Sequence, residues 1–545
     1  MLTLNSNNHL FEYLMKSYFK YILSATAAAM LAGCDNGFEQ LNKNPVVATS
    51  EQFKPQYLFS TAQYRTFKGE ESTSLYYATT FCQQMASLSD RGIFDFFGDK
   101  YVYHQSENDV LWNATFEGSV GPVKQLEAMF FMTNGAEEEY HNLIQMGRIW
   151  RTIVYHRLTD MYGDVPYSEA GKGATEKIYK PKYDTQKDIY YHMLSELEDA
   201  TAKLDASKNN FAAADIAYKG DIQKWKKLGY SMMLRLGMRL SKVEPEVAKT
   251  WVDKAFKGGT LGSNADNLII RGTDATGANP NLTNGQSSMF RVSFVPGRIS
   301  ATFFNYLKNT GDPRLKYIPA IYTDWRDNTS IKTDPAIQKG LPNGLNRTTM
   351  EKDPSYNPAL GSELQYSGIN RDIFAKLDGP RMFLTYAESQ LLLAEAAIRG
   401  WISADAKSLY ESGVAAAMRI YLEYDASANI TETDIQAYLT ANPFVGIGDT
   451  EKAFEQINTQ YWIATFLNGY ETYANVRRSG YPKLIPVNYK TANGASDNDT
   501  DGKFPRRLRY PWQAEIALNK ENYDAAVARM GGNDDMVTRV WWDKE

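Results

Sequence analysis

Residues 381–401 read RMFLTYAESQLLLAEAAIRGW. Apolar side chains recur there every three or four positions over residues 382–399, which is the spacing of one face of an α-helix, and Gly400 marks the end of the pattern. A second stretch with helical periodicity covers residues 403–421. The two patterns and the short segment between them predict a pair of antiparallel helices, a helical hairpin.

Small residues lie on the facing sides of the two predicted helices. They are Ala387, Ala394 and Ala397 on the first helix and Gly413, Ala416 and Ala417 on the second. Small side chains let two helices approach closely, as they do in tetratricopeptide hairpins. An irregular helical protein with incidental alanines is the alternative. Stacked hairpins also explain how a single unit can reach 545 residues without a Pro- or Ser-rich linker.

Helical periodicity predicts three further pairs of helices, whose ends are marked by Gly, Pro and capping residues. The first pair joins 141–162 to a helix that begins after Thr185, where Thr185 and Asp188 resemble a capping box. The second joins a helix that begins at Asp221 to 245–258. The third joins a helix that begins at Thr450 to 519–530. Residues 260–350 and 481–512 are rich in Gly, Asn, Pro, Thr and Asp, and are expected to form loops.

The composition combines a mild negative charge with many aromatic residues. Lys and Arg total 59 and Asp and Glu total 64, for a formal net charge of −5. This balance gives no basic field that would attract nucleic acid. Phe, Trp and Tyr make up 13% of the residues. Many of them lie in polar loop stretches and need an explanation other than a hydrophobic core.

The amino-terminal region has the pattern of an export signal. An apolar run covers residues 21–31, which is too short to cross a bilayer but has the length of a secretory signal core, and Lys16 and Lys20 precede it. Residues 1–14 carry no Lys or Arg. We therefore expect the signal to start at Met15.

The apolar run ends in Leu31-Ala32-Gly33-Cys34, which resembles a bacterial lipobox. In signals of that kind a peptidase cuts before the cysteine, which then carries acyl chains; each buried methylene contributes about 0.8 kcal/mol, so several chains anchor firmly. We expect residues 1–33 to be a lipoprotein signal peptide and Cys34 to be lipidated. An ordinary cleaved signal with a nearby cysteine is the alternative. Cys82 would then lack a disulfide partner and is expected to be a small buried residue.

Five phrases together resemble the SusD/RagB family of outer-membrane nutrient-binding lipoproteins. They are FEQLNKNP after the lipobox, LTDMYGDVPYSEA (158–170), RMFLTYAESQLLLAEAAIRGW (381–401), ETYANVRRSGYP (471–482) and FPRRLRYPWQAEIALNKENY (504–523). The resemblance covers essentially the whole mature chain, in order. The YGDVPYSEA phrase is similar to the SusD-like branch of the family.

The resemblance implies an all-α fold in which tetratricopeptide-like helical hairpins form a right-handed superhelical scaffold with a loop-rich face and minor β structure. It implies a single domain over residues 34–545. The expected hairpins lie at about 141–260 and 381–530, and the expected loop-rich ligand-face regions at about 88–118 and 260–350.

The resemblance also implies a function. The expected protein is lipid-anchored in the outer membrane, faces the cell exterior, binds a nutrient that is usually a glycan or oligosaccharide, and delivers it to a SusC-like TonB-dependent transporter. No cofactor and no nucleic-acid partner are expected. Three alternatives stay open: binding of a peptide or other non-sugar nutrient by the same fold, an all-helical glycosidase, and a pure protein-interaction module.

Enzyme motifs give no support to catalysis. The sequence contains no H-E-x-x-H, P-loop or G-x-S-x-G motif. A group of arginines could form an anion site, but we expect them to pair with carboxylates and with helix carbonyls, because Arg suits buried bidentate pairs. These arginines are Arg477, Arg478, Arg506, Arg507 and Arg509.

One weak candidate for a metal site is the turn that contains Asp497, Asp499 and Asp501. Its sequence DNDTDG matches the start of a calcium-binding loop. The twelfth position of such a loop would be Leu508, where a bidentate Glu is required. A solvated acidic turn is therefore the preferred interpretation, and we expect no metal.

The ligand site is predicted from aromatic residues in loops. A sugar ring has an apolar face of C–H groups that packs against an aromatic ring, while a few polar neighbours fix its orientation. In the family, the loop near residues 90–113 contributes to the ligand site together with loops between the middle hairpins. The candidates are Arg91, Phe94, Phe97, Tyr101, Phe290, Tyr322 and Trp325. The alternative for each is that it packs its loop onto the scaffold.

Overall fold

The computed structural model describes residues 54–545, except for 68, 70, 90–96, 117–119, 274–282, 293–296, 325–329, 361–362, 491–498, 512–514, 516 and 532. The predicted signal peptide and Cys34 lie outside the described residues. From Pro55 to Glu545 the chain forms one compact unit. Helices supply most of its regular structure and strands supply little, so the predicted all-α class is confirmed.

Fifteen helices of eight or more residues are labelled here in chain order. They are α1 (Pro55–Phe67), α2 (Gln105–Phe116), α3 (Pro122–Thr133), α4 (His141–Tyr162), α5 (Gln186–Lys203), α6 (Ile222–Arg239), α7 (Pro245–Gly258), α8 (Gly285–Val292), α9 (Ala301–Asn309), α10 (Tyr386–Ile398), α11 (Ala406–Arg419), α12 (Glu432–Ala441), α13 (Thr450–Ala464), α14 (Gly469–Ser479) and α15 (Lys520–Arg529).

Helices that are neighbours in sequence pack as hairpins. The pairs are α4 with α5, α6 with α7, α10 with α11, and α13 with α14. Successive pairs also contact one another, α5 against α6, α6 against α10 and α10 against α13. This stacking builds one continuous core, in which residues such as Trp150, Trp225 and Trp462 are fully buried.

Local capping explains several helix ends that the sequence predicts. The Thr185 side chain accepts a hydrogen bond from the backbone N–H of Asp188, and Asp221 caps the start of α6 in the same way. At the end of α4, Gly163 has a φ of 90°, which a residue with a Cβ rarely adopts. Helices α4 and α7 have the bounds that the sequence predicts.

The helix predicted over residues 382–399 begins later in the structure than the sequence pattern indicates. Residues Pro380–Leu384 form a strand, β9, that pairs antiparallel with β4 (Leu268–Arg271). Helix α10 begins only at Tyr386, after a capping box between Thr385 and Glu388. Pairing with β4, more than 100 residues earlier in the chain, overrides the local helical pattern.

The predicted return helix of the last hairpin was wrong. The partner of α13 is α14, whereas α15 packs against a short strand at Tyr183–Asp184. Nearly every residue of α14 is buried, including the polar residues Glu471, Asn475 and Arg478, so its sequence is more polar than its burial would suggest. The region 88–118 also differs from the predicted loop, because it contains helix α2.

A small antiparallel sheet lies beside the helices. Its five strands follow the spatial order β1 (Met85–Ala86), β5 (Arg298–Ile299), β8 (Gly368–Ile369), β6 (Pro319–Tyr322) and β7 (Ile331–Lys332). Two further pairs join β2 (Val165–Pro166) to β3 (Tyr183–Asp184) and β4 to β9. We refer to the five-stranded sheet as the platform sheet. It collects segments that are more than 280 residues apart in sequence, from Met85–Ala86 to Gly368–Ile369.

Candidate ligand-binding site

The platform sheet brings together the chain segments that carry the predicted ligand-binding residues. Met85 pairs with Ile299, and Arg298 pairs with Gly368. Ala320 pairs with Gly368, and Tyr322 with Ile331. The aromatic segment that follows β1 and the segment between β6 and β7 are therefore attached to one small sheet, as a shared ligand site requires.

Three of the predicted residues, Arg91, Phe94 and Trp325, lie outside the described residues. For Phe97 the structure describes the backbone, which begins a short 3₁₀ helix at Phe97–Lys100, but not the side chain. The chain on either side is described. Ser330 Oγ donates to the carbonyl of Asp324 (2.6 Å), so these two described residues on either side of Trp325 lie close together. The role of these four residues as ligand contacts stays a prediction.

The other three predicted contacts, Tyr101, Phe290 and Tyr322, are all buried. The Tyr101 ring lies 6.0 Å from the Phe81 ring and 6.2 Å from the Phe504 ring, both edge-on. In this structure none of the three presents an open ring face to solvent. Their burial agrees with the alternative given for each of these aromatic residues, which is that it packs its loop onto the scaffold.

Tyr322 is held by polar contacts as well as by burial. Its hydroxyl donates to the carbonyl of Ile369 (3.0 Å) and accepts from the backbone N–H of Arg371 (2.9 Å). The Arg371 guanidinium lies 4.7 Å from the centre of the Tyr322 ring. Burial lowers the pKa of Arg371. Tyr322 therefore fixes the end of β6 to the segment that carries Ile369 and Arg371.

A buried ion pair fixes the end of the aromatic segment after β1. Lys100 Nζ donates to Asp99 Oδ1 (2.9 Å) and to the carbonyl of Ser87 (2.6 Å), and the backbone N–H of Gly344 donates to Asp99 Oδ2 (3.1 Å). Burial raises the pKa of Asp99, although Lys100 opposes the shift. A Cβ at Gly98 would lie 2.2 Å from the carbonyl oxygen of Tyr76, so only glycine fits there.

Sequence reasoning did not single out Arg298 on β5. Its side chain is buried, and its Nε donates to the carbonyl of Glu363 (3.2 Å). Burial lowers the pKa of Arg298 to about 10, with Glu363 opposing the shift. An arginine inside a short extended segment between polar loops is the only sequence signal that could have drawn attention to it. Arg298 therefore joins β5 of the platform sheet to the segment that carries Glu363.

The arginines in the family-like phrases have the predicted structural roles. Arg478 forms a bidentate pair with Glu395, with both distances 2.7 Å. Arg507 Nη1 donates to Asp534 Oδ1 (2.8 Å). Arg477 donates to the carbonyl of Asp160 (2.7 Å) at the end of α4, which matches the prediction that carbonyls at helix ends would be used, and to the carbonyl of Arg506 (2.6 Å), which lies in no helix. These contacts stabilise the scaffold and do not form an anion site.

The acidic turn at 497–502 is only partly described, and Asp497 lies outside the described residues. The backbone N–H of Asp499 donates to the carbonyl of Tyr101 (3.1 Å), and Asp501 has a φ of 51°. Leu508, at the position where a calcium loop needs Glu, is buried, and its N–H donates to the carbonyl of Met161 (2.7 Å). Within the described ranges, no group of three or more His, Cys, Asp or Glu residues could hold a metal ion.

The fold and the platform sheet define a class of protein: stacked helical hairpins that support a small loop-bearing sheet. A SusD-like family model described as "Starch-binding associating with outer membrane" matches residues 47–511. The chain therefore belongs to the SusD-like family, which is a glycan-binding family associated with the outer membrane. Over the part of the chain that the structure describes, no helix is both long enough and apolar enough to span a bilayer.

Solved structures show the same likeness. One described as a chitin-binding protein is 32% identical, with a TM-score of 0.76, over 90% of this chain and 100% of the other. Another, described as Bacteroidetes AC2a SusD-like, is 26% identical with a TM-score of 0.77, again over 90% and 100%. A chitin-binding SusD homologue from Flavobacterium johnsoniae is 24% identical with a TM-score of 0.71, over 90% and 99%. No match was found among curated proteins.

Proposed function

We propose that this protein is a lipid-anchored outer-membrane receptor that binds a chitin-type glycan at the cell exterior and delivers it to a SusC-like TonB-dependent transporter. The observation that carries the proposal is the platform sheet, because it attaches the segments of Phe94 and Trp325 to one support. The 32% identical structure described as a chitin-binding protein favours N-acetylglucosamine units as the ligand.

The chemistry of the predicted contacts suits such a ligand. The aromatic rings of Phe94, Phe97 and Trp325 can stack on the apolar faces of sugar rings. The guanidinium of Arg91 carries five N–H donors, which can bond hydroxyl and acetamido oxygens without requiring a charged ligand. An uncharged glycan gains most from this combination of stacking and a few directional polar contacts.

Affinity electrophoresis tests the proposal. The full-length protein in detergent is run in native gels that contain glycol chitin, soluble starch or no polysaccharide. Retarded migration in glycol chitin without released sugar supports binding. Released sugar would instead support a glycosidase. Equal migration in all gels would contradict a glycan receptor and favour a non-sugar nutrient or a protein-interaction module.

A pair of variants locates the site. Trp325→Ala should weaken chitotriose binding about 5- to 150-fold in calorimetric titration, if sugar stacking matches the stacking of a nucleobase on an aromatic side chain, whose loss costs about 1–3 kcal/mol. Tyr179→Ala is the matched control, since Tyr179 is 74% exposed and lies between β2 and β3, away from the platform sheet in the chain. Equal affinities of the two variants would move the site elsewhere.

Delivery to a transporter is tested by co-purification. The protein is purified from solubilised outer membranes with an affinity tag at its carboxyl end, and the bound proteins are identified by mass spectrometry. We expect a large TonB-dependent outer-membrane protein in near-equal amount. Recovery of the lipoprotein alone, under conditions that preserve other outer-membrane complexes, would contradict delivery through such a partner.

A further inference from the structure

A groove lies where the carboxyl-terminal segment meets the start of α5 and the end of α15. The residues around it are distant in sequence from the platform sheet. The groove has a volume of about 670 Å³, and its walls include residues 185–187, Arg529, Met530 and residues between 539 and 545. Pockets that bind small molecules measure about 300–1,000 Å³. We call it the C-terminal groove. Neither the predicted ligand contacts nor the strands of the platform sheet line it.

The charged side chains that line the C-terminal groove are largely paired, either with one another or with a neighbouring residue. Arg529 Nε lies 2.9 Å from Asp164 Oδ2, and Arg539 Nη1 lies 2.8 Å from Asp543 Oδ1. Lys187 Nζ lies 2.6 Å from Glu244 Oε1. A charged ligand would have to compete with these pairs and lose its own hydration. An uncharged ligand with hydrogen-bonding groups fits the groove better.

One carboxylate oxygen of Asp543, a residue that lines the groove, has no hydrogen-bond partner within the described residues. Its side chain is fully buried, and its Oδ1 accepts from Arg539, while Arg506 Nη1 lies 3.5 Å away. Its Oδ2 is buried and accepts no hydrogen bond within the part of the chain that the structure describes. A buried acceptor without a partner is destabilising. A ligand that displaces the side chains covering this oxygen and donates one hydrogen bond to it would remove that penalty.

Trp541 supplies an aromatic surface in the same groove. It is partly buried and lines the cavity. Its ring lies 6.2 Å from the Tyr190 ring and 5.9 Å from Lys187 Nζ. An indole is large enough to stack on the apolar face of a pyranose ring. Pyranose sugars carry hydroxyl donors next to an apolar ring face.

We infer that the C-terminal groove is a second saccharide-binding site, in which a sugar ring stacks on Trp541 and a sugar hydroxyl donates to Asp543 Oδ2. This site is separate from the proposed receptor site on the platform sheet. It would let one molecule hold two segments of the same polysaccharide. Two linked weak sites bind a long chain much more tightly than either site alone, because the second contact becomes intramolecular.

The stoichiometry of short oligosaccharides tests this inference. Native mass spectrometry and calorimetry of the full-length protein in detergent, with chitotriose and maltotriose as probes, should show two bound molecules of one probe. Asp543→Asn should weaken one of the two sites at least tenfold. Asparagine keeps an oxygen for Arg539 but replaces the free acceptor with an N–H₂ donor.

Trp541→Ala is the second variant, in case the loss of charge in Asp543→Asn impairs folding. Phe131→Ala is the control, because Phe131 is an exposed aromatic residue outside the C-terminal groove. We expect Trp541→Ala to remove the same site and Phe131→Ala to leave both sites. One bound molecule per protein in the wild type, with affinity unchanged in both groove variants, would overturn the inference.

A double variant separates this inference from the proposed receptor function. If Phe94→Ala with Trp325→Ala removes all binding while the groove variants bind normally, the C-terminal groove is not a saccharide site and the receptor proposal stands. If the double variant retains one site that Asp543→Asn then removes, the groove is confirmed. If Asp543→Asn leaves saccharide binding intact but prevents co-purification of a transporter, the groove is a protein contact and the inference fails.

Discussion

Replacing Glu395 by glutamine removes one negative charge from the contact between three helices of the scaffold. The Glu395 carboxylate on α10 accepts from Arg478 Nη1 and Nη2 (both 2.7 Å), from Arg399 Nη2 (2.7 Å) and from Asn458 Nδ2 (3.0 Å). The side chains of Glu395 and Arg478 are each 1% exposed. The substitution therefore leaves the Arg478 guanidinium buried without a carboxylate.

The size of the effect follows from this burial. Removing one partner of a buried ion pair costs about 3–5 kcal/mol, and glutamine keeps one accepting oxygen, so we expect the lower end, about 3 kcal/mol. A unit of roughly 500 residues has an unfolding entropy of about 1 kcal/mol/K at about 2.1 cal/mol/K per residue. The melting temperature should fall by about 3 °C.

Glu432→Gln is the matched control for this prediction. Arg419 Nε and Nη2 donate to the two carboxylate oxygens of Glu432 at 2.6 and 2.7 Å, so the geometry is also bidentate. That pair is exposed, with 43% and 64% of the two side chains accessible. Exposed pairs contribute at most about 1 kcal/mol. Scanning calorimetry should show a shift below about 1 °C.

The pH dependence gives a second measurement. Burial would raise the pKa of Glu395, but Arg478 and Arg399 outweigh it and hold the pKa well below its usual range. The ionised Glu395 carboxylate stabilises the folded protein in full above the ordinary glutamate pKa of about 4.3. This stabilisation is lost as pH falls toward the pKa of Glu395 in the folded protein, at roughly 1.4 kcal/mol per pH unit. The difference between wild type and Glu395→Gln should shrink from pH 7 to pH 3. A constant difference, or equal shifts for both variants, would refute this reasoning.

Three further predictions concern the anchor, the predicted site and the core. Cys34→Ala should move the protein from the detergent phase to the aqueous phase, because only acyl chains would hold it in the membrane; a variant that still enters the detergent phase would exclude a lipid anchor at Cys34. Tyr101→Ala should lower the melting temperature by about 3–5 °C, as expected for a buried aromatic side chain, whereas Trp325→Ala should change it by less than about 1 °C; the opposite order would show that Trp325 is the core residue. Burial, followed by the charge of Arg235, lowers the pKa of His156 well below its usual range, so stability is lost as pH falls below about 6.5; wild type should lose more stability than His156→Gln between pH 7.5 and pH 5.5, measured by urea unfolding, and parallel losses would contradict a buried neutral imidazole.

Periodicity and capping residues determined the local structure of this protein. The bounds of α4 and α7 and the caps at Thr185 and Asp221 all follow from residues within one or two turns of the helix end. Such contacts act within a short segment, so the amino-acid order alone predicts them. The burial of Cys82 as a free thiol was also predicted from its apolar segment and is confirmed.

The tertiary structure decided the features that depend on contacts between distant segments. Residues 382–384 form a strand because β4 pairs with them, and polar residues of α14 such as Glu471 and Asn475 are buried because neighbouring segments surround the helix. Tyr101 looks like a loop aromatic in sequence, yet Phe81 and Phe504 enclose it. The platform sheet is built from strands of two to four residues, which are too short to show a period. A sequence records which side chains are present, but their burial depends on which distant segments pack against them.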